Sequence, residues 1–173
     1  MLSPNIPWIY NSAVDYYPTD YSDAIDYPDN HHFVHWFYSW HKPASEQIGM
    51  LHPILKIVNP AALVRIKANL STRTEKIIEH QYHLDMANTN CTTAIFYVNN
   101  NNGMTIFEDG TVINSVANRF VIFNSRIKHK GTTCTDQKVR CLINFNYFEK
   151  MTTPDVQEKP LRPWEVDTVK ENE

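Results

Sequence analysis

The sequence predicts a mainly β protein, either a β-sandwich or a jelly-roll barrel. Three observations point there. From about residue 61 onward, short runs rich in Ile, Val, Phe, Tyr and Thr follow one another in strand-like texture. Turn residues separate them, and Gly103, Gly110 and Gly131 sit between runs rather than inside them, where backbone geometry calls for glycine. Seven or eight short strands at this spacing are characteristic of sandwiches and jelly rolls. The length of 173 residues suits one domain, able to bury roughly two-thirds of the surface its unfolded chain exposes.

Residues 1 to about 60 read as an N-terminal flanking segment, helical or irregular, punctuated by Pro and dense in aromatics between His31 and His41. A short helix is expected within 45–58, interrupted at Pro53. The jelly-roll core is expected over 61–149. Its strands are Leu63–Leu70, Lys76–His83, Thr92–Val98, Met104–Phe107, Thr111–Val116, Arg119–Phe123 and Val139–Phe148. The Asn99–Asn102 run reads as a loop, since asparagine favours turns and tolerates left-handed backbone. Asp109-Gly110 predicts a tight type I′ hairpin. The Pro- and charge-rich stretch 150–173 is expected to pack loosely outside the barrel.

Aromatic residues make up 12% of the chain, which excludes an intrinsically disordered protein. Mean hydropathy is −0.44, and no apolar run approaches the roughly 20 residues of a membrane helix. Met1–Tyr10 lacks a basic start and a continuous apolar stretch, so no secretory signal is expected. Cys91, Cys134 and Cys141 are odd in number and lack C-x-x-C spacing; reduced thiols in a cytoplasm follow. The net charge of −3 hides an asymmetry. Residues 1–41 carry Asp15, Asp20, Asp23, Asp26 and Asp29 and no Lys or Arg, whereas 119–140 is basic. The basic stretch could attract an anionic ligand. A nucleic-acid partner is not expected, because the overall balance is acidic and no basic-aromatic repeat occurs.

Eight histidines are the unusual feature. His83-Leu84-Asp85 ends a predicted strand, where residues two apart share a face, so imidazole and carboxylate converge while Leu84 turns away. His129 follows after another strand. Two His and one carboxylate leave open positions on an octahedral ion and suit Fe(II) used for oxygen chemistry. Arg140, at the start of the last predicted strand, could hold a distal carboxylate in a bidentate fork. Ligand order, separation and trailing Arg together describe a 2-oxoglutarate site. His80 falls on the opposite strand face and is expected outside it. His31, His32, His35 and His41 are expected to pack and hydrogen-bond within the aromatic cluster.

From Arg65 to Phe148 the chain resembles the 2-oxoglutarate/Fe(II)-dependent dioxygenase superfamily, specifically its prolyl-4-hydroxylase-like branch. The family's H-x-D is matched by His83 and Asp85, its aromatic-plus-Asn strand by Tyr97-Val98-Asn99, and its Thr-x-Phe turn by Gly103 to Phe107. The distal part is similar over Phe123 to Gly131 and Arg140 to Phe145. The texture is closest to short members found in bacteriophage genomes, which would place the protein in a host cytoplasm.

The resemblance implies a double-stranded β-helix, Fe(II) on His83, Asp85 and His129, and 2-oxoglutarate on Arg140 with Tyr97 beside it. Ascorbate is a candidate reductant. It also implies hydroxylation of a C–H bond, with a prolyl residue in a peptide or protein as substrate, and Asp85 fills the position a halide would need. A free amino acid or other small metabolite is the alternative substrate, and a non-catalytic binding module the alternative function. Asn146 stands where the alkylated-nucleic-acid demethylases carry a second Arg, which weighs against base repair. The Asn99–Asn102 loop and the N-terminal section are expected to line or cover the entrance.

Overall fold

The computed structural model describes residues 5–16, 25 and 27–150. The stretch 150–173, apart from its first residue, and Asp20, Asp23 and Asp26 lie outside the described residues. Two antiparallel sheets form a jelly roll. The larger joins β1 (Ile9–Asn11), β2 (His32–Ser39), β4 (Ala62–Thr72), β10 (Val139–Phe148), β5 (Thr92–Tyr97) and β8 (Phe120–Asn124) in that spatial order, with β3 (Lys42–Pro43) paired to β2. The smaller runs β7 (Val112–Asn114), β6 (Met104–Phe107), β9 (His129–Gly131).

Strand β10 lies between β4 and β5, buried almost throughout, and its side chains sort by parity. Ile143 and Phe145 point to the outer face. There they meet Ile66 and Ala68 of β4, Ala94 of β5, Phe37 of β2 and Leu51. A short helical layer covers this face through Ile48, Ile54, Leu55 and Val58. Each fully buried side chain of this kind contributes about 1.5–3 kcal/mol. Arg140, Leu142 and Asn144 point the other way, into the space between the sheets. The partners of these residues in register are Ser71, Asn69 and Lys67 of β4.

The helical layer is a 3-10 turn, Glu46–Leu51, followed by α1, His52–Val58. Pro53 does not interrupt the helix. It occupies the first turn of α1, where a missing N–H is harmless, and Asn59 ends the helix in left-handed backbone at φ 45°.

The segment before residue 61 is more than a flank, because β1 and β2 extend the main sheet beyond β4. The hairpin after β2 turns through Trp40 and His41, both left-handed (φ 52° and 60°), between the paired Ser39 and Lys42. That is the backbone sign of a type I′ turn, made without glycine. Conversely, only Gly110 is left-handed at the predicted Asp109-Gly110 turn (φ 85°). Gly110 N–H donates to Phe107 O and Phe107 N–H to Thr111 O. This is a type I turn closed by a glycine bulge rather than type I′.

Lys76–His83 is not a regular strand. Its backbone pairs with β9 and the residue after it through isolated bridges, His83 to His129 and Glu79 to Thr132. All three cysteines are buried and free, and burial pushes the Cys141 thiol up to about 12. Among the described residues no helix is long and apolar enough to cross a membrane.

Candidate functional site

The gap between the sheets is a cavity of about 270 Å³. Its floor is the polar face of β4 and β10, and its opposite wall carries His83, Asp85 and His129. Described residues of the N-terminal section, Asn11, Ala13 and His32 among them, close one side, as expected.

Backbone pairing explains how the two histidines meet. His83 N–H donates to His129 O at 2.9 Å, and His129 N–H returns a bond to His83 O at 3.1 Å. Such a mutually bonded antiparallel pair puts both side chains on one face. Their ring centroids are 4.7 Å apart. Each ring then fixes its own tautomer in the same way. His83 Nδ1 lies 3.2 Å from Gln81 O, and His129 Nδ1 lies 3.2 Å from Ile127 O. A carbonyl can only accept, so Nδ1 carries the proton and both Nε2 lone pairs are left facing inward.

What they face is a carboxylate. His83 Nε2 is 4.0 Å from Asp85 Oδ1, and His129 Nε2 is 3.9 Å from Asp85 Oδ2. The three donor atoms lie within 4.8 Å of one another. Lone pairs opposed across such gaps have no proton between them and call for a cation at their centre. Two imidazoles and one carboxylate fit Fe(II) with positions to spare.

The route to Asp85 differs from strand parity. The chain leaves extended backbone after His83, and Asp85 lies in a turn. Leu84 therefore does not turn away but lines the cavity. Because 76–83 is not a regular strand, parity does not hold for His80 either, and it is also at the cavity wall, although it belongs to a different cluster from the three donors.

Arg65 and Asn144 orient Asp85. Arg65 Nη2 lies 3.0 Å from Oδ1, and Asn144 Nδ2 donates to both carboxylate oxygens at 3.3 and 3.2 Å. Arg65 is itself fixed by Asn146, whose Oδ1 accepts from its Nε at 2.8 Å. Burial pushes the Asp85 carboxyl up, but the charges of Arg65, His129, His83 and Lys67 outweigh it and hold the group below the usual carboxylate range. The His129 imidazole is pushed down by burial, against the opposing pull of Asp85. Both shifts keep these groups in the forms that bind metal.

Arg140 is only 4% exposed yet reaches the cavity. Its Nε donates to Ser115 Oγ at 3.0 Å, and Nη2 donates to Met104 O at 3.1 Å and Thr105 Oγ1 at 3.2 Å. None of the ion pairs among the described residues involves it. Glycine makes room for it: a Cβ on Gly103 would lie 2.6 Å from Arg140 Cδ. A buried guanidinium with hydrogen bonds but no counter-charge is a receptor for an anion. Tyr97 is placed one step back. It is fully buried beside the guanidinium, and its hydroxyl donates to Thr105 Oγ1 at 2.7 Å, so Thr105 rather than Tyr97 meets the cavity.

The Asn99–Asn102 run does not line the cavity. Asn99 accepts from Cys141 N–H and donates to Val139 O, and Asn101 accepts from Gly103 N–H. These bonds brace the β5–β6 connection behind Arg140. Within the aromatic cluster, His35 is bonded to Pro7 O and Ser45 Oγ and is structural as expected, while His32 faces the cavity. Sequence reasoning missed Arg65, Lys67 and Asn144. The available signal was the strict polar alternation Arg65, Lys67, Asn69, Ser71, which marks one face of one strand.

No protein-family model and no curated protein sequence matches the chain. Solved structures do. An oxidoreductase of the 2OG-Fe(II) oxygenase family from Burkholderia pseudomallei is similar at TM-score 0.51, with 13% identity over 70% of each chain. A Pseudomonas putida prolyl-4-hydroxylase is similar at TM-score 0.43, with 14% identity over 68% of this chain and 69% of that one. An RmlC-like cupin protein from Desulfovibrio desulfuricans gives TM-score 0.38 and 13% identity over 48% of this chain and 70% of its own. At these identities the likeness is one of fold, the double-stranded β-helix.

Proposed function

We propose that the protein is an Fe(II)- and 2-oxoglutarate-dependent dioxygenase that hydroxylates a C–H bond. The observation that carries this reading is the pair of inward Nε2 lone pairs facing Asp85 in a cavity that also holds an uncompensated Arg140. His83, Asp85 and His129 would hold the metal, and Arg140 the distal carboxylate of 2-oxoglutarate. Together these groups supply oxidation of an unactivated C–H bond by molecular oxygen, with release of succinate and carbon dioxide.

The chain's own part is positioning and exclusion of water. Arg65 and Asn144 fix the Asp85 carboxylate, Gln81 and Ile127 carbonyls fix the imidazoles, and Ser115, Met104 and Thr105 fix the guanidinium. Tyr97 supports this arrangement through Thr105. Ascorbate would serve as reductant.

The family resemblance offers a prolyl residue of a peptide as substrate. Lys67, a cavity cation in no ion pair among the described residues, favours a second reading, a small anionic substrate. Anaerobic addition of Fe(II) and 2-oxoglutarate should produce the weak visible charge-transfer band of such a complex. His83→Ala should abolish it; a band of unchanged intensity in that variant rules the assignment out. Coupled succinate release with proline-rich peptides against free amino acids then separates the substrate classes.

A further inference from the structure

Resting on the oxygenase reading, a second polar subsite remains in the same cavity once the metal ligands and Arg140 are assigned. It has three unmatched members. Lys67 is the first. It projects from β4 into the cavity, its Nζ lies 5.5 Å from the Trp36 ring centroid, and no carboxylate among the described residues lies within ion-pair distance. Lys67 pairs in register with Asn144, whereas Arg140 pairs with Ser71. Four residues along a strand separate the two levels by about 14 Å at the backbone, so the two cations mark different positions.

His80 is the second member, 7% exposed. Its Nδ1 lies 3.0 Å from Asp15 Oδ2, and Asp15 is fixed in turn by Gln81 N–H at 2.8 Å and by the Tyr27 hydroxyl. A carboxylate accepts, so His80 Nδ1 donates, and in the neutral ring Nε2 is left as an acceptor. That Nε2 is buried and has no hydrogen-bond partner among the described residues. Asn144 Oδ1 is the third, a buried acceptor with no hydrogen-bond partner among the described residues, in a residue 6% exposed.

One cation and two orphan acceptors complement a zwitterion. A carboxylate satisfies the ammonium of Lys67, and an ammonium supplies donors to the acceptors. A prolyl residue inside a peptide offers neither charge, meets Lys67 only with neutral carbonyls, and has no N–H on its own ring nitrogen to give to His80 Nε2 or Asn144 Oδ1. We infer that Lys67, His80 and Asn144 form the substrate subsite and that it takes a free α-amino acid, its carboxylate on Lys67 Nζ and its ammonium at His80 Nε2 and Asn144 Oδ1.

The test is anaerobic calorimetry of the protein loaded with Fe(II) and 2-oxoglutarate, titrated with each of the common L-amino acids, with the carboxamide and N-acetyl forms of whichever binds, and with a proline-rich peptide. At least one free amino acid should bind, and either blocked form should bind tenfold or more weakly. Lys67→Met should weaken binding of the free acid tenfold or more and Lys67→Arg by less, with any loss of 2-oxoglutarate affinity in Lys67→Met severalfold smaller than the loss for the free acid and with no fall in melting temperature. Binding by the peptide alone, by no amino acid, or equally by blocked and free forms overturns the inference. So does undiminished binding by Lys67→Met. The charge-transfer band of the same samples reports the oxygenase reading separately. Amino-acid binding without that band would remove the metal chemistry and leave the subsite.

Discussion

Acid should destabilise this fold through one cavity histidine, His32. It is 9% exposed on β2, and its Nε2 lies 2.8 Å from Asn11 Nδ2. An amide nitrogen only donates, so Nε2 accepts and the ring is neutral with its proton on Nδ1. Burial first, and then the charges of Lys67, His80 and His31, push its pKa down from 6.5 to about 4, against a smaller opposing pull from Asp15. The unfolded chain therefore takes up this proton before the folded one does. His32 leaves stability intact above about pH 6.5, and stability is lost as the pH falls from there to about 4, with no further loss from this residue below. A depression of that size is worth about 3 kcal/mol across the window. Denaturant unfolding of wild type and His32→Gln, measured at steps from pH 7.5 to 4, isolates the contribution. Gln keeps an acceptor for Asn11 and cannot titrate. The wild type should lose about 3 kcal/mol more than the variant across the window; parallel curves would refute the reasoning.

Arg140→Met should raise KM for 2-oxoglutarate by roughly 30- to 700-fold, the equivalent of about 2–4 kcal/mol of charge-assisted contact. Its melting temperature in the absence of ligand should not fall, since an unpaired buried charge is removed with its contacts. Gly103→Ala places a methyl 2.6 Å from Arg140 Cδ and 2.7 Å from the Thr133 carbonyl oxygen, which is backbone and cannot yield. It should cost about 1–3 kcal/mol in thermal or denaturant unfolding and weaken 2-oxoglutarate binding as well. Phe37→Ala empties the centre of the outer core and should cost about 3–5 kcal/mol by denaturant unfolding, with the charge-transfer band of the surviving folded protein unchanged.

The strands from β4 onward, β9 apart, were legible because each is a run of β-branched and aromatic residues bounded by turn residues, and the H-x-D, distal His and trailing Arg were legible because metal and carboxylate chemistry restricts residue type. Strand β2 was not, since its aromatic run is packed on both sides and shows no period. Three-residue β9 is too short for any pattern. The Trp40-His41 turn was hidden because its backbone takes left-handed angles that sequence rules reserve for Gly and Asn. Strand parity brought His83 and Asp85 together for a reason the structure replaces: His83 is placed by its bridge to His129, and Asp85 by the turn that follows. The polar face of β4 gave no sign of its role. Alternating Arg, Lys, Asn and Ser ordinarily faces water, and only a partner sheet across the gap turns that face into a cavity floor.

That floor also couples the ligands to one another. Arg65, Lys67 and Arg140 line the cavity, and Asp85 is the sole carboxylate among its described lining residues. Lys67 already shows the strain, with burial and then Arg65 pushing its pKa down to about 8. A divalent cation on Asp85 removes the one negative charge that offsets this field, so the cavity becomes a stronger anion receptor when the metal binds. Dicarboxylate binding must then tighten metal binding by the same factor, because the linkage between two sites is reciprocal. On the proposed reading, an excess of positive charge that is unfavourable in the empty protein would make metal, cosubstrate and the substrate carboxylate bind as a set rather than singly.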